Sequence, residues 1–406
     1  MAMKRILYYS LMLMALIAVL SSCEKDDTDM ADIIAQYQVE PADIELDYSA
    51  LTEADDVPVT DENDSAYNDY VENSPWNKVI QINFGGEKAT VTGTVTGVVV
   101  QTSGNHVTVV NLSGPVQFVV SGQTLDGSLK FYGDKRFQVL LNGASITNPN
   151  GAAINNQGSK SMYVVLAEGT TNRLQDGTDY VMVDEEDQKA ALFSEGQIIF
   201  SGKGTLDVVA DGRGGIRSDD YIRIRPGVKI NIYSTALDGL RANDGIIVDG
   251  GVINVGTSGV GAKGVRSGGP LTVNGGRLVA ISKGDARFDV GDDVADTTAC
   301  AALYCDTLMT VNAGILKLKA TGDGGKGINA KQDVTFKGGT LQAVSTGTRE
   351  NKKPKGVKID GNFAISGGYF YSYSRRSDPI DVSGNTSVAP GYKTYELAPR
   401  VLTIAY

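Results

Sequence analysis

The chain has 406 residues, of which 41% are hydrophobic, and its 48 acidic and 37 basic residues give a formal net charge of −11. This length and hydrophobic content exclude a wholly disordered chain. The acid excess argues against broad nucleic-acid binding, which requires a basic surplus. With one histidine, His106, the chain lacks the residues for most histidine-based triads and histidine-rich zinc sites.

The first 22 residues have the pattern of a bacterial signal peptide. A basic pair precedes an apolar run that ends in Leu-Ser-Ser-Cys at residues 20–23, and this run is too short for a stable spanning helix. The four residues resemble the lipobox, which implies that Cys23 carries a lipid. The acidic residues that follow resemble the signal that sends some Gram-negative lipoproteins to the cell surface. We therefore expect an outer-membrane lipoprotein that meets the membrane only through its lipid anchor.

Residues 23–77 are predicted to form a flexible tether. Between residues 24 and 72 the chain has 17 acidic residues and a single base, Lys25, and like-charge repulsion extends such a segment. Once this charge of −16 and the +2 of the signal peptide are removed, residues 78–406 carry a net charge of +3. The acidity therefore belongs to the tether.

A unit of about 24 residues recurs from residue 190 onward. Each unit begins with a small residue and an aliphatic anchor, and successive anchors are 24, 24, 25, 38, 25 and 29 residues apart. An earlier anchor, Ile154, lies 38 residues before the first of these. The anchors of the regular series are Leu192, Ile216, Leu240, Val265, Leu303, Ile328 and Val357.

Within each unit, short alternating segments are separated by Gly, Asn and Asp turns, which indicates strands. Sandwiches and barrels have no fixed repeat, and the Leu-x-x-Leu-x-Leu pattern of a leucine-rich horseshoe is missing. We therefore predict an all-β fold, a single-stranded right-handed parallel β-helix with rungs of about 24 residues. It is expected to span residues 78–406 with capping segments at both ends. The longer spacings predict loops at residues 169–190, 284–300 and 347–355.

Stacked rungs place equivalent residues in columns about 4.8 Å apart. If the anchors point inward, the next position points outward and forms a column of Arg217, Arg241 and Arg266, while Lys263 lies two positions before an anchor. Two interpretations remain open. These cations either form surface ion pairs or line a groove for acidic sugars, whose carboxylates match the arginine fork.

Acidic residues cluster near the anchors of neighbouring rungs. Oxygen-bearing side chains on adjacent turns suit calcium, although Asp and Asn also cap turns by bonding backbone amides. Both interpretations stay open from the residues alone. The candidate calcium ligands are Asp219, Asp220 and Asp244, with Asp211 and Asp238 as further members.

Three outward tyrosines, Tyr369, Tyr371 and Tyr373, are candidates for stacking against sugar rings, and packing against the C-terminal segment is the alternative. Cys300 and Cys305 either form a disulfide across the insertion or remain thiols. Cys305 falls on an inward column, which is consistent with a buried thiol.

Several motifs occur in series, including Leu-Leu-Asn-Gly-Ala-Ser-Ile-Thr at 140–147, Ser-Asp-Asp-Tyr at 218–221 and Leu-Asp-Gly-Leu at 237–240. Together they resemble a bacterial carbohydrate-binding β-helix family, with a fold similar to that of pectate lyases, over roughly residues 78–380. The resemblance implies a calcium-containing module that binds plant-type or other acidic polysaccharides. It also implies calcium positions at Asp219, Asp220, Asp238 and Asp244.

The leading hypothesis is a non-catalytic surface lipoprotein that binds polysaccharide and takes part in a surface protein complex. An alternative is a polysaccharide lyase of the pectate type, in which calcium neutralises a uronate carboxylate and an arginine or lysine removes a proton. A third is an adhesin or structural spacer. The fold alone decides among none of them.

Overall fold

The computed structural model describes residues 56–183, 185–290, 295–348, 352–398 and 401–405. Over these residues the regular structure is strand, apart from two short 3-10 helices at Tyr67–Asp69 and Val71–Asn73. The strands form a parallel β-solenoid of about 11 turns, which confirms the predicted fold. No helix in this part of the chain is long and apolar enough to cross a membrane.

The first face of the solenoid carries the aliphatic anchors. Its strands pair in parallel with the rung above and below, except at the N-terminal hairpin, where the first two strands are antiparallel. The strands of the first face are Val98–Ser103, Asn105–Asn111, Gly127–Tyr132, Ile154–Asn156, Ala190–Ser194, Gly214–Ser218, Leu240–Ala242, Lys263–Ser267, Ala301–Cys305, Lys326–Ala330, Lys355–Ile359 and Ile380–Val382.

Two further faces complete each rung, and the long strand Phe137–Asn148 pairs with the start of both. The second face continues through Met162–Leu166, Ile198–Gly202, Tyr221–Ile224, Gly245–Val248, Leu271–Val273, Met309–Val311, Val334–Phe336, Phe363–Ile365 and Thr386–Val388. The third face comprises Thr171–Asp176, Thr205–Ala210, Lys229–Ser234, Val252–Thr257, Arg277–Ser282, Ile315–Ala320, Thr340–Ser345 and Tyr369–Ser374, followed by the antiparallel strands Lys393–Ala398 and Val401–Ala405.

The first rungs are less regular, as their sequence indicates. The strand Val79–Phe84 pairs in parallel with Val116–Thr124 and antiparallel with Thr90–Thr92. These strands belong to the same solenoid, because their buried side chains form one continuous hydrophobic core with those of the regular rungs.

The predicted anchors are direct neighbours across the rungs. Register pairs Ile154 with Leu192 and continues without a shift to Val357. Every anchor is at most 1% exposed, because its side chain points into the stack between the three faces. Burial of these aliphatic columns is the main stabilising contribution to the fold.

Glycine fixes the turn that leads into the third face. Gly251, Gly276, Gly314, Gly339 and Gly368 occupy the same place in successive rungs and have φ between 75° and 97°, a region that other residues rarely adopt. A Cβ on Gly276 would lie 2.5 Å from the carbonyl carbon of Gly250 in the previous rung. The tight stacking of these turns therefore requires glycine as well as the unusual backbone angle.

The three loops predicted from the longer spacings between anchors differ in structure. Residues 284–300 include the antiparallel hairpin Arg287–Val290 and Ala295–Thr298, which leaves the rung as predicted. The predicted loop over 169–190 begins too early, since Thr171–Asp176 is a regular strand of the third face and only the chain after it departs from the rung. The loop predicted at 347–355 lies partly outside the described residues.

Of the two alternatives for Cys300 and Cys305, the structure shows buried thiols and no disulfide. Five residues of extended chain span about 16 Å, well beyond the roughly 7 Å that a disulfide allows between Cα atoms. Cys305 instead continues the inward column through Ser267. Burial raises the pKa of Cys300 to about 11, which keeps this thiol protonated at neutral pH.

Residues 56–77 pack against the second face, so the folded body begins before the predicted boundary at residue 77. Arg225, which is 1% exposed, bonds Asp56 at 2.9 Å and Glu72 at 2.7 Å. Arg223 bonds Asp69 at 2.8 Å. We call residues 56–77 the N-terminal strap. Cys23 and the rest of the predicted tether lie outside the described residues.

Aromatic side chains complete the contact between the strap and the solenoid. The Tyr70 ring lies 4.6 Å from the guanidinium carbon of Arg225, and Trp76 packs edge-to-face on Tyr163 at 5.4 Å. Tyr163 and Ile199 are neighbours across two rungs of the second face, and both are 0% exposed. The strap therefore contributes apolar burial as well as ion pairs.

We expect Asp69→Asn to destabilise the protein by about 3 kcal/mol, because it removes one partner of a buried ion pair and leaves Arg223 with less compensating charge. Asp69 is 4% exposed and also accepts a hydrogen bond from the Tyr221 hydroxyl. The free energy of unfolding in urea measures the effect. Asp61→Asn is the matched control, since Asp61 is exposed and its carboxylate bonds the neighbouring Asn63. Equal stability of the two variants would contradict a structural role for the strap.

Candidate functional site

The arginine column lies on the outside of the first face, as predicted. Register aligns Arg217, Arg241 and Arg266 on three successive rungs. The column continues through Tyr304 and Asn329 to Lys358. Since neighbouring strands lie about 4.8 Å apart, the three guanidinium groups repel one another unless carboxylates or a ligand lie among them.

The three arginines differ in how fully carboxylates compensate them. Arg217 bonds Asp219 through both Nε, at 3.1 Å, and Nη2, at 3.0 Å. Arg241 and Arg266 reach Asp238 only at 3.6 and 3.8 Å, beyond hydrogen-bond length. The carboxylate of Asp238 is directed instead to the backbone N–H of Lys263, at 2.8 Å.

A second column of cations lies two positions before the anchors. Lys263, Lys326 and Lys355 share one register position, separated by Ala301, and each is at most 5% exposed. Lys355 pairs with Asp378 at 2.8 Å. The Nζ atoms of Lys263 and Lys326 donate to backbone carbonyls, at 2.6 and 3.3 Å.

The two columns meet in a cavity of about 570 Å³, which we call the basic pocket. The insertion hairpin forms one wall and contributes Arg287 and Thr298. Among the described residues, six cationic side chains and one carboxylate line the pocket, and one of the cations, Lys331, pairs with Asp360 at 3.0 Å. The charged residues are Arg241, Lys263, Arg266, Arg287, Lys331 and Lys352, with Asp238 as the acid.

Burial and mutual repulsion act on these cations together. Burial, followed by Arg266 and Arg217, lowers the pKa of Arg241. Burial also lowers the pKa of Lys263, and Arg266 and Arg287 lower it further despite the opposing effect of Asp238. Arg241 and Lys263 therefore favour an anion beside them, since a bound carboxylate would add charge that opposes burial and mutual repulsion.

Tyr304 forms part of the floor of the pocket. Its ring lies 5.2 Å from the guanidinium carbon of Arg266 and 5.7 Å from Nζ of Lys263, and its hydroxyl bonds Asp306 at 2.7 Å. The ring orients both cations through cation–π contacts. Its place in the arginine column was visible in the repeat, whereas Arg287, Lys331 and Lys352 lie outside the predicted columns.

The three predicted sugar-stacking tyrosines lie elsewhere. Tyr369, Tyr371 and Tyr373 belong to the third-face strand that pairs with the C-terminal strand Val401–Ala405. They pack around Val344 in a small apolar cluster, and Tyr371 is only 8% exposed. None of them lines the basic pocket, so the structure does not bring them to the predicted arginine site.

The predicted calcium ligands do not converge on one point, and their side chains make different contacts. Asp211 bonds Thr235 and Gln175, Asp220 caps its own turn through the N–H of Tyr221, and Asp238 belongs to the basic pocket. Asp220 lies close enough to Asp244 for their charges to interact. Within the described part of the chain, the one group of three acidic residues with converging oxygens is Asp187, Glu195 and Asp219. Only Asp219 belongs to the predicted set.

Comparison with known proteins gives three matches. A family model described as "Carbohydrate-binding domain-containing protein" matches residues 103–399. A curated protein of the same description from Acetivibrio thermocellus is 30% identical over 122 residues, which cover 29% of this chain and 43% of that protein. The chain thus matches less than half the length of this relative.

A solved structure of a polysaccharide lyase-like protein from C. thermocellum, a gadolinium derivative, aligns with 77% of this chain and 97% of its own. The TM-score is 0.44 and the sequence identity 18%. The family model covers most of the solenoid, including the arginine column and the basic pocket. The chain therefore belongs to the family of carbohydrate-binding domain-containing proteins.

Proposed function

We propose that the protein binds an acidic polysaccharide through the basic pocket, without cleaving it, at the cell surface. The observation that carries this proposal is the pair Arg241 and Arg266 in a single cavity, whose carboxylate contacts within the described part of the chain are 3.6 to 3.8 Å long. Arginine forks match carboxylates in a bidentate geometry, which these contacts do not provide. Uronate-containing plant cell-wall glycans carry such carboxylates at regular intervals.

The direction of the columns suits a linear polymer. From Arg241 to Asn329, four successive rungs place a donor-bearing side chain at one register position. A glycan that lies along the solenoid axis would therefore meet a polar group at every rung. The hairpin wall that bears Arg287 would close one side of this path.

One observation favours a second function, β-elimination. A neutral Lys263 amine would take the proton next to a uronate carboxylate, and the C–H electron pair would form a carbon–carbon double bond in the sugar. The glycosidic oxygen would leave from the adjacent carbon and take a proton from solvent water. Because the pKa of Lys263 is lowered, a larger fraction of this amine is neutral at a given pH than in an ordinary lysine. The neighbouring arginines would stabilise the carboxylate during this step.

The location of the protein is a further part of the proposal. A lipid on Cys23 would hold the chain at the outer face of the outer membrane, with the residues after Cys23 as a spacer that precedes the strap. This arrangement would present the basic pocket to extracellular glycans and to partner proteins at the surface.

We expect Arg241→Ala with Arg266→Ala to weaken binding of polygalacturonate at least tenfold. Each arginine would contribute one or more charge-assisted hydrogen bonds, worth about 1.5–3 kcal/mol each. Isothermal titration calorimetry at two salt concentrations measures the change, and higher salt should weaken wild-type binding because the contacts are ionic.

The matched control is Arg173→Ala with Lys203→Ala, which removes two exposed cations of the same solenoid outside the pocket. This control should bind within about twofold of the wild type. If both double variants lose affinity equally, the basic pocket is not the binding site. Absence of wild-type binding to every acidic glycan on an array would favour a structural spacer.

We expect no unsaturated product when the protein is incubated with polygalacturonate, measured by absorbance in the near ultraviolet. Binding without absorbance supports the non-catalytic function. An absorbance increase that Lys263→Met abolishes, while it leaves binding within about threefold, would establish the lyase function instead.

We expect Cys23→Ser to abolish incorporation of a clickable fatty acid and to release the protein from the membrane fraction of its Gram-negative host. Ser22→Ala, which keeps a small residue before the cysteine, should retain the lipid. Protease treatment of intact cells then tests surface exposure. Unchanged labelling of Cys23→Ser would contradict the anchor.

A further inference from the structure

Three acidic side chains converge at one corner of the first face. Their carboxylate oxygens lie within 4.8 Å of one another, and the residues are Asp187, Glu195 and Asp219. Glu195 and Asp219 each follow a first-face strand, and the backbone N–H of Asp219 bonds the carbonyl of Ser194 in the previous rung at 2.9 Å. Register therefore stacks the two carboxylates, and like charges this close require a cation.

The side chain of Lys189 supplies that cation. Its Nζ pairs with one carboxylate oxygen of Asp187 and with Oδ2 of Asp219, and it lies 5.3 Å from the ring of Phe193. The ammonium therefore lies among the three acids and pairs directly with two of them.

The remaining contacts of Asp219 do not suit a metal ion. Its Oδ1 accepts hydrogen bonds from Arg217, at 3.1 Å, and from the amide nitrogen of Asn243, at 3.0 Å. Calcium requires six to eight oxygen ligands, whereas this carboxylate faces an ammonium, a guanidinium and an amide N–H. The residues present therefore do not fit the calcium that the resemblance implies at Asp219.

We propose that the Lys189 ammonium takes the place of a divalent cation among Asp187, Glu195 and Asp219. This corner of the solenoid is then closed without metal. Removal of the lysine charge leaves three repelling carboxylates, and Asp219 still faces the Arg217 guanidinium and the Asn243 amide N–H, so the variant gains no calcium site. The inference does not depend on glycan binding.

The test is thermal unfolding with EDTA or with about 5 mM calcium, which exceeds the roughly 0.1–1 mM dissociation constants of extracellular calcium modules. Wild type should show a calcium shift below about 1 °C. Lys189→Gln should unfold several degrees lower than the wild type in EDTA and in calcium alike, because the repelling carboxylates lose their compensating charge. Lys203→Gln, the matched control, removes an exposed lysine outside the group and should show neither change.

Calcium titration by calorimetry gives a second readout. Lys189→Met keeps the aliphatic packing over Phe193, and neither this variant nor the wild type should bind calcium at this corner. Lys189→Arg, which keeps the positive charge, should unfold close to the wild-type temperature. Wild-type calcium binding that Asp219→Asn abolishes would overturn the proposal, and so would a Lys189→Gln variant as stable as the wild type.

Discussion

Parallel pairing between successive rungs is the constraint on which the other features of this protein depend. It repeats every side chain at one register position about 4.8 Å further along the axis. In the anchor column this repetition stacks Ile216, Leu240 and Val265 into a continuous core. In a charged column the same repetition places like charges side by side, so every such column needs an explicit means of compensation.

The chain compensates its charged columns by two different means. At the N-terminal end, Asp219 pairs with Arg217 inside the same rung, and at the C-terminal end Lys358 pairs with Asp360 and Asp381. Between them, Arg241 lies 3.6 Å from Asp238, and Arg266 lies 3.8 Å from both Asp238 and Asp306. The middle of the column is therefore less closely paired than its two ends, and this difference is the structural basis of the proposed anion site.

Much of this arrangement could be predicted from sequence because it is periodic. A spacing of 24 or 25 residues suffices to align the anchors, and the residue that follows each anchor must then face outward, which located Arg241 and Arg266. Residues outside the repeat could not be placed from the sequence. Lys189 and Arg287 lie in insertions, and the contacts of Asp69 with Arg223 join residues more than 150 positions apart. Carboxylates alone suggested calcium, because sequence shows neither the ammonium nor the amide hydrogens that face Asp219.

Part of the acidic excess behind the net charge of −11 forms ion pairs between the N-terminal strap and the solenoid. The acids of the strap do more than extend a tether, since Asp56, Asp69 and Glu72 neutralise Arg223 and Arg225 on the second face. Because those arginines are occupied from within the chain, they do not compete with the basic pocket for an acidic ligand. The strap thereby neutralises these two arginines of the second face. An acidic segment and an anion-binding surface can thus coexist in one chain, provided that the acids are bound to a different face from the one that remains open.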